Sequence, residues 1–245
     1  MTNDPKLPEG FTLVQRERVS STNDDARALA RDGAEDGTLV WAQAQDAGRG
    51  RLGRAWASPP GNLYLSLVLD TPVETAGQSP FLAGLALTDA LKDAVPGRHD
   101  LRLKWPNDVL LDGRKLAGSL AEWVPEAEKL VLGLGVNVEA APDEQGGEAI
   151  ALRDVGAEIG PGALLERFAA ELAPWLQTWR RAGFAPIRAA WMQRCHRIGD
   201  RLQVTLPDEA VVGNFRGLGE DGALLMETWD GDKRRLTVGD VALVG

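Results

Sequence analysis

Hydrophobic and polar positions change their period several times along the chain, and each change marks an element. Ser21-Thr-Asn-Asp-Asp supplies capping side chains with an acid three positions on, ahead of Ala26, Leu29 and Ala30 at helical spacing. A helix therefore starts there and ends near Gly33. Thr38 to Gln45 and Leu63 to Leu69 read as strands, separated by a Gly/Arg-rich loop over 46 to 54 and a turn at Pro59-Pro60-Gly61-Asn62. Phe81 to Val95 carries a broad apolar helical face that stops at Pro96-Gly97. Leu101 to Trp105, Val109 to Leu111, Leu116 to Trp123 and Leu130 to Val136 follow as strands at short spacing. Ala140 to Gly147 predicts an exposed loop, and Leu164 to Trp179 and Pro186 to Arg194 are helical by pattern, with Pro174 a kink point in the first. From Gly199 the character changes. Leu202 to Leu206, Ala210 to Leu218, Ala223 to Thr228 and Arg234 to Leu243 are short strands divided by polar turns, which predicts a small barrel of about 47 residues. The chain thus divides into residues 1–197 and 198–245, with helix and strand mixed and no strict βαβ alternation.

Composition narrows the classes. The 245 residues are 44% hydrophobic and 26% charged, an ordinary globular balance of one or two domains. The net charge of −9 works against a partner with a phosphate backbone, so nucleic acid is excluded as an expected ligand. Cys195 is the single cysteine, and with only His99 and His196 beside it there is neither a disulfide nor a zinc cluster; no metal ligand is nominated. A reducing cytoplasm fits. The start Met1-Thr-Asn-Asp-Pro-Lys has no basic and apolar leader, and no run approaches the roughly 18 apolar residues of a membrane span, so no membrane partner is expected.

Candidate chemistry lies in three places. Gly48-Arg-Gly-Arg-Leu-Gly-Arg54 gathers three arginines and three glycines without an acid, which suits either an anion cradle or a solvated basic turn. Residues 48–53 also fit the dinucleotide fingerprint G-x-G-x-x-G. That motif must open into a helix, however, and Trp56, Pro59, Pro60 and Gly61 block one. A kinase glycine loop falls with the absence of the catalytic-loop and D-F-G elements. The second place is Lys104-Trp-Pro-Asn-Asp108 with Lys115-Leu-Ala-Gly118, where two lysines on neighbouring strands can face one pocket. The third, Gly133-Leu-Gly-Val-Asn137, suits either close ligand approach or a bulge.

Together Ser21-Thr-Asn23, Gln45, the loop 48–54 with Trp56, the two lysine boxes and Gly133-Leu-Gly-Val-Asn137 resemble the ordered motifs of biotin protein ligases, over about residues 11 to 245. The resemblance implies an α+β fold, with a mixed-sheet catalytic domain like that of class II aminoacyl-tRNA synthetases and a C-terminal SH3-like barrel. It also implies a reaction in which biotin and ATP give biotinyl-adenylate and pyrophosphate, and a lysine of a biotin carboxyl carrier protein then takes the biotinyl group.

That chemistry brings a carboxylate to an α-phosphate. At ~4 Å and an effective dielectric near 20, one such charge pair repels by about 4 kcal/mol. Arg49, Arg51, Lys104 and Lys115 are the cations that offset it. The resemblance makes Arg51, Lys115 and Lys104 catalytic, with Lys115 also at the biotin carboxyl end. It gives the biotin site Ser21, Thr22, Asn23 and Gln45 as ureido contacts, with Gly48, Arg49, Gly50, Arg51 and Gly118. Helix capping is the other reading of Ser21 and Thr22. Arg54, Trp56, Asn107, Gly133, Gly135 and Asn137 carry over as ATP or adenylate contacts, Trp56 as a stacking or lid residue. Asp108 either orients the acceptor lysine or bonds to its own bend.

Magnesium is expected with ATP, held mostly by phosphates. Cys195 and His196 read as packing residues. Bifunctional members carry an N-terminal winged helix, and only 20 residues precede Ser21, so a ligase without repressor activity is expected, as monomer or homodimer. Ser119 stands where the family has a branched apolar residue. Lipoate ligases and octanoyl transferases share the fold and are one rival reading, against which the arginine loop and the Lys-Trp-Pro-Asn-Asp box argue; a non-catalytic biotin- or nucleotide-binding protein is the other, which the intact cationic set disfavours. Residues 46–54 are expected to close over ligand.

Overall fold

The computed structural model describes residues 5–142 and 148–244. Seven strands make the first sheet: β1 (Thr12–Val19), β2 (Thr38–Gln45), β3 (Leu63–Leu69), β4 (Leu101–Lys104), β5 (Asp108–Leu111), β6 (Arg114–Val124) and β7 (Lys129–Val136), in the order β1-β2-β3-β7-β6-β5-β4. β1 and β2 are parallel and every other pair is antiparallel. Five helices accompany the sheet: α1 (Thr22–Arg31), α2 (Val73–Ala76), α3 (Ser79–Leu91), α4 (Pro161–Ala182) and α5 (Phe184–Met192).

Alternation along the strands gives the sheet two different faces. Leu63, Leu65, Leu67 and Leu69 of β3 and Leu132, Leu134 and Val136 of β7 turn into the main core with Phe81, Leu85, Phe168 and Leu172 of α3 and α4. On the opposite face α1 covers one end only, through Ala26 and Ala30 against Val40, Val68, Val124 and Val131. The rest of that face is left for a site.

The tail forms a second, five-stranded antiparallel sheet of β8 (Arg201–Thr205), β9 (Ala210–Leu218), β10 (Leu224–Glu227), β11 (Lys233–Leu236) and β12 (Asp240–Leu243), in the order β11-β10-β9-β8-β12. β11 and β12 are its edges and are not paired with each other, so the expected barrel is open on that side. Leu202, Val204, Phe215 and Leu224 join the main core, and Trp105 Nε1 donates to the Gly222 carbonyl oxygen at 2.9 Å.

Several expectations shift. Arg234 to Leu243 is two strands, because Gly239 turns the chain with φ +137°. β1 went unread because it is a charged edge strand without a continuous apolar face. α4 runs unbroken through Pro174. Lys104 and Lys115 are not on adjacent strands, since β5 lies between β4 and β6. Of the loop expected over 140–147, residues 143–147 lie outside the described residues, as do the first four of the chain. No helix of the described residues is long and apolar enough to cross a membrane.

Candidate active site

One transverse row of the first sheet sets the geometry. Tyr64 on β3 faces Gly135 on β7, Gly135 faces Gly118 on β6, Gly118 faces Asp108 on β5, and Asp108 faces Lys104 on β4. The row passes from a flat glycine floor to an acid and then a cation. The register of β5 on β6 shifts between Val109 and Leu110, so that Leu116 is an extra residue. This bulge lets Leu116 and Ala117 both enter the core while Lys115 comes round to the same side as Gly118. Lys115 Nζ then lies 2.8 Å from Asp108 Oδ1, and Lys104 Nζ 3.9 Å from Oδ2.

The floor is glycine because Trp56 lies on it. A Cβ on Gly135 would stand 2.6 Å from the indole, and one on Gly118 would be 3.3 Å from the same ring, from Asp108 Oδ1 and from Lys115 Cε. Lys115 Nζ is 5.5 Å from the Trp56 ring centroid, a cation–π distance. Gly133 leaves room in the same way for Asn23, whose amide a Cβ there would strike.

At the α1 end the polar groups are held in place by each other. Gln45 Oε1 accepts from the Thr22 backbone N–H at 2.7 Å, and Gln45 Nε2 donates to Ser58 Oγ at 2.8 Å. Ser66 Oγ donates to Asn23 Oδ1 at 2.6 Å and lies 2.8 Å from Thr22 Oγ1, while Asn23 Nδ2 donates to Glu122 Oε2 at 2.6 Å. Ser21 occupies the N-cap position, yet its side chain makes no cap hydrogen bond. The helix-capping reading of Ser21 is therefore replaced: the hydroxyl belongs to the cavity, and Gln45 satisfies the first turn of α1.

The three arginines of the loop have three different fates. Arg49 grips Asp24 with both terminal nitrogens, at 2.6 and 2.7 Å, and reaches Glu122 at 3.5 Å. Its hydrogen bond holds the Asp24 carboxyl below the usual range, against an opposing desolvation. Arg54 pairs with Asp240 at 2.9 Å. Arg51 is the one of the three without an ion pair among the described residues: it donates to two neutral acceptors, Asn107 Oδ1 and the Gly239 carbonyl oxygen, each at 3.3 Å. Burial pulls its pKa down, and Asp240 and Asp108 pull it back. Its charge is thus oriented but not neutralised, as an anion-binding group requires.

These groups line one cavity of about 900 Å³, closed on one side by Thr205 and residues 240–243 of the second sheet. Ser21, Thr22, Asn23, Gln45, Arg49, Gly50, Arg51, Arg54, Trp56, Lys104, Asn107, Asp108, Lys115, Gly118, Gly133 and Gly135 all line it. Gly48 and Asn137 do not. Gly48 makes room for Ser58, the Trp56 carbonyl and Gln45. Asn137 is buried, donating to the Ile150 carbonyl at 3.2 Å, and so ties β7 to the segment after 148.

Sequence reasoning did not assign Ser66, Glu122, His196 or residues 240–243 to the site. Ser66 is the lone small polar residue in Leu-Tyr-Leu-Ser-Leu-Val-Leu, and Glu122 an acid in Leu-Ala-Glu-Trp-Val; each was a visible anomaly. His196, read as packing, lines the cavity. Among the described residues no group of three or more His, Cys, Asp or Glu side chains is placed to hold a metal.

The sequence profile of the biotin/lipoate A/B protein ligase family matches residues 16–138, and that of the biotin protein ligase C-terminal domain matches residues 198–244. A biotin--[acetyl-CoA-carboxylase] ligase of Paracoccus denitrificans is 39% identical over 220 residues, covering 85% of this chain and 91% of that protein. The enzyme of the same name from Mycobacterium tuberculosis is 39% identical over 219 residues, covering 86% and 81%. Among solved structures, the biotin protein ligase of Aquifex aeolicus in complex with biotin and ATP superposes with a TM-score of 0.82 at 28% identity, covering 95% of this chain and 98% of that one.

Proposed function

Because the chain belongs to the biotin protein ligase family, we propose that its cavity joins biotin to ATP as biotinyl-5'-adenylate and passes the biotinyl group to a lysine of a biotin carboxyl carrier protein. The observation that carries the reading is the division of one cavity into a pre-ordered polar end and a cationic end, with Trp56 on the glycine floor between them.

In the first step a biotin carboxylate oxygen attacks the α-phosphorus and pyrophosphate leaves. Lys115, Lys104 and Arg51 offset the repulsion between the two anions and the charge that builds on the phosphoryl oxygens. Lys115 sits on the biotin carboxyl. Ser21, Thr22, Asn23 and Gln45 hold the ureido ring, whose donors and acceptors need partners at fixed positions. Arg54, Trp56 and Asn107 flank the adenylate, Gly50 allows close approach, and Gly135 and Gly133 contribute by seating Trp56 and Asn23. Gly48 and Arg49 act indirectly, by shaping and anchoring the loop.

In the second step the acceptor amine attacks the acyl carbon, AMP leaves and the amine gives up a proton. Asp108, which already faces two ammonium groups, orients the acceptor lysine as a third. Magnesium enters as the counter-ion of ATP, held mostly by phosphate oxygens and water. Residues 1–197 form the catalytic unit and 198–245 the C-terminal unit. The names of the Paracoccus and Mycobacterium relatives point to the carrier of acetyl-CoA carboxylase as acceptor. The net charge of −9 supports a ligase without a DNA-binding role.

The test is incubation of the full chain with biotin, MgATP and a carrier domain, followed by mass spectrometry. Addition of one biotinyl group, lost when the acceptor lysine is changed to arginine, is expected. An unmodified carrier together with active adenylation would remove the acceptor assignment.

A further inference from the structure

The second sheet meets the arginine loop at one corner, where β12 begins. Gly239 carries φ +137°, and a Cβ there would crowd Val204, Leu206 and the Thr205 carbonyl, so this turn is closed to other residues. The turn aims the Gly239 carbonyl at Arg51 and presents Asp240 to Arg54. Between them stands Leu52, with φ 55° and 63% exposed, at the tip of a loop that is otherwise held by Arg49 on α1. The loop is therefore pinned at both ends by carboxylates from different parts of the fold, Asp24 and Asp240, with Arg51 suspended between them.

We propose that the β11–β12 corner is a clamp on the arginine loop, in which Asp240 acts through Arg54 as a positioning residue for Arg51. This rests on the adenylation reading given above. The second sheet thereby holds the loop shut over the acyl-phosphate, so that the mixed anhydride reaches its acceptor and not water.

Arg54 and Asp240 are both about half exposed, so the pair belongs to the class worth ~0.2 to 1 kcal/mol, and its loss changes loop closure by about 1.4- to fivefold. Asp240→Asn is expected to raise the KM for ATP by up to about fivefold and to increase the fraction of adenylate lost to hydrolysis in the same proportion. Tryptic cleavage at Arg51 and Arg54 is expected to accelerate, and the thermal midpoint to stay within a degree or two. Asp240→Glu, which keeps the carboxylate facing Arg54, is expected to recover most of the loss. An Asp240→Asn enzyme unchanged in KM, leakage and cleavage overturns the clamp, and so does an Asp240→Glu enzyme that is folded yet no better than Asp240→Asn. If the unaltered protein shows no biotin-dependent exchange between pyrophosphate and ATP, the adenylation reading fails, while the cleavage comparison still decides whether the clamp exists.

Discussion

Gly118 on β6 and Gly135 on β7 are direct cross-strand partners, and the indole of Trp56 lies across both. The contact is tighter at Gly135, at 2.6 Å for a built Cβ against 3.3 Å at Gly118. Gly135→Ala is therefore expected to displace Trp56 and to weaken biotin and ATP binding more than Gly118→Ala does, with a stability cost of about 1 to 3 kcal/mol from overpacking. Calorimetric titration and thermal melting of the two variants check the order; equal binding in both would mean the indole is free to move.

The different partners of the three arginines predict different defects. Arg51→Gln and Lys115→Gln remove cations that line the cavity and, on the proposed function, are each expected to cut the rate of adenylate formation by about 100-fold or more without unfolding the chain. Arg49→Gln, by contrast, leaves Asp24 and Glu122 with Arg27 alone as their cation, at 3.9 and 3.5 Å, and should lower stability and biotin affinity while sparing more of the chemical step. Single-turnover rates with saturating biotin distinguish them. Near-normal turnover by Lys115→Gln would remove that residue from the mechanism.

Most of the residues that line the candidate cavity were legible because their types are unusual where they stand: arginines and glycines without acids, lysines beside Trp-Pro-Asn-Asp, glycines in a buried strand. What escaped notice was non-local. The bulge at Leu116 defeats a period-2 reading and decides which way Lys115 points. The pairing of Arg49 with Asp24 spans 25 residues and that of Arg54 with Asp240 spans 186, so no local pattern announces which arginine keeps its charge free. β1 hid for a related reason, since an edge strand with one neighbour needs no continuous apolar face.

Burial holds the His196 pKa below 6.5, reinforced by Lys104 and Arg102 and opposed by Asp200. The unfolded chain then binds the proton first as pH falls. Stability is unaffected above about pH 6.5 and declines below it until the folded pKa is reached. Urea midpoints at pH 7.5, 6.5 and 5.5 are expected to fall over the lower interval, and less steeply in His196→Gln. Parallel slopes in the two proteins would show that other groups carry the acid sensitivity.

Cys195 is buried, and desolvation lifts its thiol to about 12. The folded protein is expected to resist alkylation at pH 8 and to react once denatured. Rapid labelling of the native state would contradict the packing around it.

The measurement that bears most directly on the central claim is isotope exchange between pyrophosphate and ATP, run with biotin, with lipoate, with octanoate and with no added acid. Exchange that depends on biotin alone is the predicted result. Exchange supported instead by lipoate or octanoate, or absent with every acid, would contradict it.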